Sequence, residues 1–344
     1  MLADAQNMRH RLHRNLLEYA SRVDVLSDAI VAMRTGLPHS ARTSRHGPWA
    51  VDHPPFAGAG FHVVLQGACW LFPPEGEPIR LGPGDVVFLP RGRQHGMADS
   101  RSTPLAGRPA TSLAAIQPTD GAARGPAGPD RTTDPASATV LLCGAYLLDR
   151  SRSHPLVDEL PEVIHLPARL GRHPALRAAV DLLGSELAQP RPGADAVVPA
   201  LLDMLLLFTL RAWFDERSER DTAAGWAGAL TDPAVVAALR AVHDNPGRQW
   251  TVAELGTRAG LSRAALARRF TALVGQPPLA YLTWWRMTLA ARYLREGDAP
   301  LCAIADQVGY GSEFAFAHAF KREYGTAPGA YRHQAGRRHQ AGQR

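Results

Sequence analysis

The last quarter of the chain contains two segments built to one plan, and this duplication constrains the fold more than any other feature. In "AGLSRAALARRFTALVGQPP" and "GYGSEFAFAHAFKREYGTAP", a glycine turn leads to a serine, Ser262 or Ser312, and a phenylalanine follows eight residues later, at Phe270 or Phe320. Glycine suits the left-handed turn at a helix end, and serine is a favoured residue at a helix start. Each copy therefore predicts a helix, a tight turn and a capped second helix, which is a helix-turn-helix unit.

The apolar residues in both second helices recur at the spacing of one helical face. They are Leu266, Phe270 and Leu273 in the first copy and Phe316, Phe320 and Tyr324 in the second. Between the copies, Pro278 and Gly297 bound a predicted helix of roughly 18 residues, about 27 Å long at 1.5 Å per residue. Two second helices held near that spacing can enter successive turns of the major groove, which lie about 34 Å apart.

The positive charge is concentrated in the same part of the chain. Residues 251–344 hold 13 Lys and Arg against 6 Asp and Glu, whereas residues 1–250 hold 25 against 26. The formal net charge of +6 therefore comes from the C-terminal quarter. A basic domain joined to a neutral one favours a module that binds a polyanion.

The segment from Trp250 to Arg332 resembles the DNA-binding domain of AraC/XylS-type transcription regulators, since it has both units, the linking helix and the closing "GTAPGAYR". The resemblance implies that double-stranded DNA is the partner and that the outward residues of each second helix approach bases. These residues are Arg263, Ala264, Ala267 and Arg268 in the first unit and Glu313, Phe314 and His318 in the second. Ser262, Ser312 and Lys321 are placed for contacts with the DNA backbone. Helix capping by the serines and surface solvation of the lysine are the alternative roles.

The chemistry of these positions differs between the two units. Arg268 can make a bidentate contact with guanine, and Arg263 can contact guanine or phosphate. The two alanines offer only apolar contact, for example with a thymine methyl group. Glu313 can accept from a cytosine amino group, but an acid near phosphates weakens binding without that partner. We therefore expect the first unit to supply more of the affinity.

The N-terminal half has the pattern of strands and turns. From residue 24 to 100, short apolar runs alternate with Gly and Pro, as in "PIRLGPGDVVFLP". Residues 101–138 are rich in Pro, Gly, Ala, Ser and Thr without apolar periodicity, which predicts a disordered insertion. A further strand follows at 139–148. The insertion is therefore predicted to interrupt a sheet domain rather than to separate two domains.

The stretch "GDVVFLPRGRQH" contains Gly84, Pro90, Gly92 and His95 at a spacing that fits a cupin motif, and "FHVVLQGACWLF" precedes it. Residues 24–167 therefore resemble the cupin-type ligand domain found on a branch of these regulators. The resemblance implies a small double-sheet barrel around a pocket, with helices beside it. We expect an α+β multidomain protein: an N-terminal cupin-like β-barrel with packed helices and a C-terminal all-α domain with two helix-turn-helix units.

Metal chemistry is an open question in this half. A catalytic cupin usually offers a His-x-His pair and an acid in its first motif, whereas Val63 and Val64 follow His62 here. The ligand set of a cupin enzyme is therefore incomplete. His62, His95 and Cys143 all lie on predicted strands or their rims, and this set suits zinc. The alternative is that the histidines are hydrogen-bonded structural residues and that Cys143 is a small buried hydrophobe, with no cofactor.

Redox sensing by Cys143 is not expected, because apolar neighbours raise rather than lower the pKa of a thiol. The other two cysteines, Cys69 and Cys302, are expected to lie in the core. Three scattered cysteines are too few for a disulfide framework, which fits a reducing compartment. No window approaches twenty uninterrupted apolar residues, and the N-terminus lacks the apolar core of a signal peptide. We therefore expect a cytoplasmic protein that does not enter a membrane.

Two helices are predicted beyond residue 167, in "HPALRAAVDLLGSELAQ" and "DAVVPALLDMLLLFTLRAWFDER". The second is apolar on more than one side, which indicates either a core helix or the interface of a homodimer. The predicted order is an extension (1–23), a sensor domain (24–167), a helical dimerisation or linker region (168–231), a DNA-binding domain (232–335) and a flexible tail (336–344).

These observations predict a sequence-specific DNA-binding transcription regulator, and no enzyme, whose cupin-like domain senses a small ligand, a metal or an oxidant. RNA polymerase would be a further partner of an activator. Two alternatives stay open at this stage. In one, the chain is a cupin-type metalloenzyme with an accessory helical domain. In the other, the N-terminal half is a dimerisation module without a ligand.

Overall fold

The computed structural model describes residues 24–35, 37–105, 138–148, 154–220 and 224–341. These residues form two compact units. The double-sheet unit extends from Arg34 to Arg220, and the helical unit combines the described residues before Arg34 with those after Arg220. The predicted extension (1–23), residues 106–137 of the predicted insertion and the final three residues lie outside the described residues.

Among the described residues, nine strands form two antiparallel sheets. The five-stranded sheet has the order β1-β8-β3-β6-β9, and the four-stranded sheet has the order β2-β7-β4-β5. This is the double-sheet architecture that the cupin resemblance implies. The strands are β1 (His39–Arg45), β2 (Ala50–His53), β3 (Gly58–Gln66), β4 (Cys69–Phe72), β5 (Ile79–Leu81), β6 (Val86–Leu89), β7 (His95–Ala98), β8 (Thr139–Leu147) and β9 (Ile164–Leu166).

The main core of this unit joins both sheets, and β8 shows how the sequence builds it. Alternate residues of a strand point to opposite faces. Leu141, Cys143 and Ala145 belong to the core cluster. Tyr146 lies on the opposite face, where its hydroxyl donates to the carbonyl oxygen of Leu202 at 2.7 Å. Because both faces of β8 are covered, almost every one of its residues is apolar and buried.

The predicted cupin motif forms the connection between β6 and β7. Gly92 has φ +52°, and a Cβ atom there would lie 2.6 Å from the carbonyl oxygen of Phe56, so a larger residue does not fit. The turn carries the chain from the five-stranded sheet to the four-stranded one. Beyond Ala98 the insertion begins, and Thr139 re-enters the five-stranded sheet. Both flanks of the insertion thus belong to one unit, as the sequence predicts.

The described residues of the double-sheet unit also form three helices: α2 (Pro155–Asp158), α3 (Pro174–Ala188) and α4 (Ala194–Arg220). Helices α3 and α4 pack on each other and contact β1 and β9 respectively. Within α4, the stretch Ala194–Ser218 is long enough to cross a membrane, and an 18-residue window in it has a mean hydropathy of 1.7. The core helix of a globular protein can have the same length and hydropathy, and 44% of this window is buried. The packing on α3 and β9 agrees with one of the two predicted alternatives, a core helix.

The helical unit contains the two helix-turn-helix units at the predicted places. The linking helix has 19 residues, about 28 Å at 1.5 Å per residue. The last helix continues to Ala341, past residue 336, where the flexible tail is predicted to begin. The helices are α1 (Val25–Met33), α5 (Gly225–Thr231), α6 (Pro233–Asp244), α7 (Val252–Arg258), α8 (Arg263–Val274), α9 (Pro278–Glu296), α10 (Leu301–Gln307), α11 (Glu313–Tyr324) and α12 (Pro328–Ala341).

The units divide the chain differently from the predicted domains. Helix α1, expected in the sensor domain of residues 24–167, packs against α6 and α9 of the helical unit. Its apolar face, including Ile30 and Met33, is buried there. Helix α5, expected in the linker region of residues 168–231, packs against α6 and α8. An apolar stripe on a helix indicates that one face is buried. Which element covers that face depends on tertiary packing.

Candidate functional site

The first recognition helix, α8, begins after the predicted turn. Gly260 has φ +67°, the left-handed conformation that glycine adopts without strain. The Ser262 hydroxyl accepts a hydrogen bond from the Ala265 N–H at 3.3 Å and caps the helix. Leu266 and Phe270 are fully buried. Leu273, expected on the same face, is only half-buried.

The opposite face of α8 carries the predicted base-contacting residues. Arg263, Ala264 and Arg268 are exposed, and Ala267 is half-buried. The neighbouring Arg269 is engaged elsewhere, because its guanidinium pairs with Asp232, the N-cap of α6. The adjacent arginines at 268 and 269 therefore have different roles.

Asp232 is an anchor for α8 that the sequence analysis missed. Its Oδ1 accepts from the N–H groups of Ala234 and Val235, both at 3.0 Å, and its Oδ2 accepts from Arg269. Burial alone raises the pKa of this carboxyl group, but the hydrogen bonds from Val235 and Arg269 outweigh it, so the pKa is lowered. The ionised carboxylate joins the start of α6 to the recognition helix.

The second recognition helix, α11, repeats the construction. The Ser312 hydroxyl accepts from the Ala315 N–H at 3.1 Å. Phe316 and Phe320 are fully buried. Tyr324 is half-buried and stacks on the Phe320 ring with 4.5 Å between centroids. The capping role considered for both serines is therefore present in the structure.

The outward face of α11 differs in chemistry from that of α8. Glu313, His318 and Lys321 are exposed. Phe314 lies beside them with 83% of its surface exposed. Leaving a phenyl ring in water forgoes about 1.5–3 kcal/mol of burial free energy. An exposed aromatic residue on a recognition helix is therefore available for contact with a partner.

A buried cluster inside the double-sheet unit contains the predicted metal residues. His62 on β3 is paired in register with Cys143 on β8, so both side chains lie on the same face of the five-stranded sheet. His95 on β7 is paired with His53 on β2 in the other sheet. His53, His62 and His95 each offer a ligand atom, and these atoms all lie within 4.8 Å of one another.

When the rings are neutral, the donors and acceptors in this cluster form one consistent series of hydrogen bonds. His95 Nδ1 lies 2.9 Å from the carbonyl oxygen of Arg93, so it carries the proton and Nε2 is an acceptor. His62 Nε2 lies 2.7 Å from that atom and donates to it. His62 Nδ1 is then an acceptor, 3.0 Å from Cys143 Sγ, whose S–H donates.

Burial determines the ionisation of these groups. It lowers the pKa of His62 well below 6.5, and the neighbouring His53 and His95 rings lower it further. Burial also lowers the pKa of His95, although the Arg93 carbonyl partly opposes this. Burial raises the pKa of the Cys143 thiol to about 12. At neutral pH the thiol is protonated, as expected from its apolar neighbours.

A cavity of about 30 Å³ adjoins the cluster. Its walls come from both sheets and include Thr43, Trp49, His53, Met97 and Cys143. This volume holds one or two water-sized groups. Pockets for drug-sized organic ligands have about 300–1,000 Å³.

His53 is the member of the cluster that the sequence analysis missed. It follows Asp52 at the end of a short strand, with no motif around it. Only the pairing of β2 with β7, which are separated by more than forty residues, brings it to His95. Of the other cysteines, Cys69 is buried as expected, whereas Cys302 is exposed because it lies on the outer side of α10.

Family models match most of the double-sheet unit and the C-terminal part of the helical unit. A model described as "Cupin" matches residues 24–215, which include α1 of the helical unit, and one described as "Helix-turn-helix domain" matches residues 255–334. The crystal structure of the DNA-binding domain of AdpA with a target DNA is similar to 31% of this chain and 96% of that chain, with 33% identity and a TM-score of 0.30.

Full-length relatives are regulators of transcription. A protein of Streptomyces antibioticus, whose name describes it as AraC-like, is 38% identical over 90% of this chain and 98% of its own length. The regulator AlkR of Acinetobacter baylyi is 29% identical over 80% of this chain and 87% of its own length. The activator RclR of Escherichia coli is 29% identical over 83% of this chain and 88% of its own length. The chain therefore belongs to the AraC family of DNA-binding transcription regulators and is not an enzyme.

Proposed function

We propose that this regulator reads an operator through the exposed faces of α8 and α11 and that its double-sheet unit controls that binding in response to a signal. The observation that carries the proposal is the pairing of two capped recognition helices with exposed outer faces on one helical unit. Their linking helix α9 has a length comparable to one turn of DNA. One chain can then contact two successive segments of the major groove.

The two helix-turn-helix units contribute different contacts to DNA recognition. Arg268 is positioned to donate to the O6 and N7 atoms of guanine, and Arg263 to guanine or to a phosphate. Ala264 and the half-buried Ala267 let the helix approach closely and contact a thymine methyl. We expect α8 to provide most of the affinity, because α11 presents Glu313 beside the phosphates.

The second helix-turn-helix unit adds apolar contacts and polar contacts that depend on the base present. Phe314 is suited to thymine methyl groups, Glu313 to a cytosine amino group and His318 to a base edge or a phosphate. Lys321 contacts the backbone. Ser262 and Ser312 already accept hydrogen bonds from their own helices, so each hydroxyl retains its proton for a phosphate oxygen.

The test of DNA recognition uses Arg268→Ala. A preferred operator is first selected with the wild-type chain from random-sequence DNA, and affinities for it and for unrelated DNA are then measured at fixed salt. We expect the variant to lose about 1–3 kcal/mol of discrimination at one base pair and to keep its non-specific binding. The control is Arg292→Ala, which removes the same charge from the linking helix, where Arg292 pairs with Glu296.

An unchanged preference in Arg268→Ala would show that α8 does not read bases with this residue. Equal losses in Arg268→Ala and Arg292→Ala would show that net charge, and not the position of the guanidinium, determines the affinity. The selection also reports whether two adjacent groove segments are read, since the selected sequence would then contain two conserved blocks about one helical turn apart.

The signal acts on the double-sheet unit, whose sheets enclose the histidine cluster. To change DNA binding, the signal must bind one arrangement of the protein more tightly than another.

A homodimer would join two such chains, and the exposed Leu182, Val197 and Met204 on α3 and α4 are suited to that interface. We expect the protein in the cytoplasm, because an operator-binding protein acts on chromosomal DNA. RNA polymerase would be its partner if it activates transcription. The relative RclR is named as an activator.

A further inference from the structure

We propose that His53, His62 and His95 form a binding site for a first-row transition-metal ion of the zinc type, with Cys143 as the residue that positions His62. The site lies between the two sheets of the double-sheet unit. Its use as the signal rests on the proposed function, whereas the binding of the ion does not.

The arrangement of the three rings supports the site. Each ring offers one nitrogen, and the three atoms lie within 4.8 Å of one another. In a tetrahedral zinc site with Zn–N distances of about 2.0–2.1 Å, two ligand nitrogens are about 3.3 Å apart. The Nε2 atoms of His62 and His95 lie 2.7 Å apart and would separate by about 0.6 Å. A nitrogen of His53 lies within 4.8 Å of the other two, so this side chain would move toward them by up to about 1.5 Å.

The three rings converge in the buried interior between the sheets. All three histidines are buried, and the centroids of each pair of rings lie 5.0 Å apart or less. The His53–His62 and His62–His95 pairs span the two sheets. Between His62 and His95 a single proton joins two nitrogens. A metal ion can take the place of that proton and bind both lone pairs.

Cys143 contacts His62 on the side away from the site. One ring nitrogen of His62 faces His95, and the other lies 3.0 Å from Cys143 Sγ, so the ring cannot present both to one ion. When the ion binds Nε2, the His62 proton moves to Nδ1 and is donated to the sulfur, with no proton lost from the ring. A ligand histidine typically donates its other N–H in this way. The ligand set is therefore His53, His62 and His95, and not the His62, His95 and Cys143 set that the sequence suggests.

The kind of ligand follows from the donors and the space. Imidazole nitrogens suit zinc, copper, iron and nickel, and the cluster contains no carboxylate, which disfavours magnesium and calcium. The adjoining cavity of about 30 Å³ is too small for an organic effector but has room for a water molecule as a fourth ligand. Met97 and Cys143 are among the residues that line that cavity.

Binding would connect the two sheets. His62 belongs to the five-stranded sheet, whereas His53 and His95 belong to the four-stranded sheet. An ion held by all three would fix the separation of the sheets at this point. It would also stabilise the folded state by mass action, because the site does not exist in the unfolded chain.

The test uses the full-length chain, purified without a metal-affinity tag and freed of metal with a chelator. Co²⁺ is titrated in and followed by its ligand-field absorption, Zn²⁺ is added in competition, and bound zinc is measured by mass spectrometry. The variants are His53→Gln, His95→Gln and Cys143→Ser, and the control is His46→Gln, because His46 is exposed on the loop between β1 and β2. Operator DNA binding is measured on the same samples.

We expect one ion per wild-type chain and no change in His46→Gln. The two histidine variants should lose roughly 100-fold or more in affinity, and Cys143→Ser about 10-fold, as for a residue outside the ligand set. The wild-type chain also gives a test without variants, since the imidazole ¹⁵N resonances of three histidines should shift on adding Zn²⁺. This keeps the proposal testable if a variant does not fold.

A wild-type chain that takes up no stoichiometric zinc, or a His46→Gln variant that loses as much affinity as His95→Gln, would overturn the site. DNA binding by such a chain would leave the proposed function intact, so the two failures are distinguishable. Zinc binding that leaves DNA affinity unchanged would support the site and remove its role as the signal.

Discussion

His243 Nδ1 lies 3.1 Å from Asp28 Oδ2, and this contact joins two helices of the helical unit that are 215 residues apart in the chain. His243 is on α6 and Asp28 is on α1. The other ring nitrogen, Nε2, lies 2.8 Å from the Tyr281 hydroxyl on α9. A neutral ring satisfies both contacts, because Nδ1–H donates to the carboxylate and Nε2 accepts from the hydroxyl. The ring also stacks on Trp285.

This contact predicts that acid destabilises the helical unit. Burial lowers the pKa of His243, and Asp28 offsets only part of that effect. Because the folded pKa is lower than the unfolded value of about 6.5, the unfolded state binds more protons below that pH. The stabilising contribution is therefore complete above about pH 6.5 and decreases as the pH falls.

Hydrogen exchange of the α6 and α9 amides at pH 7 and 5.5, corrected for intrinsic rates, measures this effect. His243→Gln should reduce the difference in protection between the two pH values, whereas His333→Gln, at an exposed position of α12, should not. An unchanged pH dependence in His243→Gln would assign the acid sensitivity to another group.

Two phenylalanines on α11 should respond in opposite ways to truncation. Phe320→Ala should reduce the free energy of unfolding by about 3–5 kcal/mol, because the ring is fully buried. Phe314→Ala should change it by less than about 0.5 kcal/mol, because the ring is 83% exposed. It should weaken operator binding by about 1–2 kcal/mol if DNA covers most of the ring. Urea denaturation and DNA titration check the pair, and an unchanged operator affinity in Phe314→Ala would place this ring outside the DNA interface.

The two capping serines can be tested for their second role. Ser262→Ala and Ser312→Ala should each destabilise the protein by about 1 kcal/mol, whereas the glycine variants should cost only a few tenths. A hydroxyl that also contacts phosphate is lost equally in both kinds of variant. Equal losses of DNA affinity in the Ala and Gly variants would therefore indicate a backbone contact, whereas losses that follow the stability would indicate capping alone.

The three cysteines should differ in reactivity. A maleimide at pH 7 should label Cys302, which is exposed, and should leave Cys69 and Cys143 unlabelled until the protein is denatured. Burial raises the pKa of both buried thiols to about 12, and the thiolate is the nucleophile. Peptide mapping gives the sites, and rapid labelling of Cys143 in the native protein would contradict the burial of the cluster.

The apolar outer face of α4 predicts the oligomeric state. Val197 and Met204 are exposed to 43% and 41% and lie seven residues apart, on one side of the helix. Met204→Glu should therefore convert a dimer to a monomer in sedimentation experiments. Asp195→Lys, at an exposed position on another side of the same helix, should leave the dimer intact. A wild-type chain that sediments as a monomer would remove this interface from the proposal.

The local patterns of the sequence were sufficient for the helical unit. Each turn glycine, capping serine and buried phenylalanine of the duplicated segments acts within a span of about twelve residues, and the helical period relates them directly. The starts of α8 and α11 at the capping serines and both bounds of α9 therefore agree closely with the predicted ones. The cupin motif is equally local, since Gly84, Pro90, Gly92 and His95 lie within twelve residues, from the turn before β6 to the start of β7.

Only the tertiary structure decided which distant residues meet. The sequence placed His62, His95 and Cys143 on strands, but strand pairing and the packing of two sheets brought His53 to them and turned Cys143 toward the far nitrogen of His62. In the same way, the periodicity of α1 indicated a covered face, and folding placed that face on α6 and α9. Periodicity is a property of neighbouring residues, whereas the partner of a buried face is chosen by the packing of the whole unit.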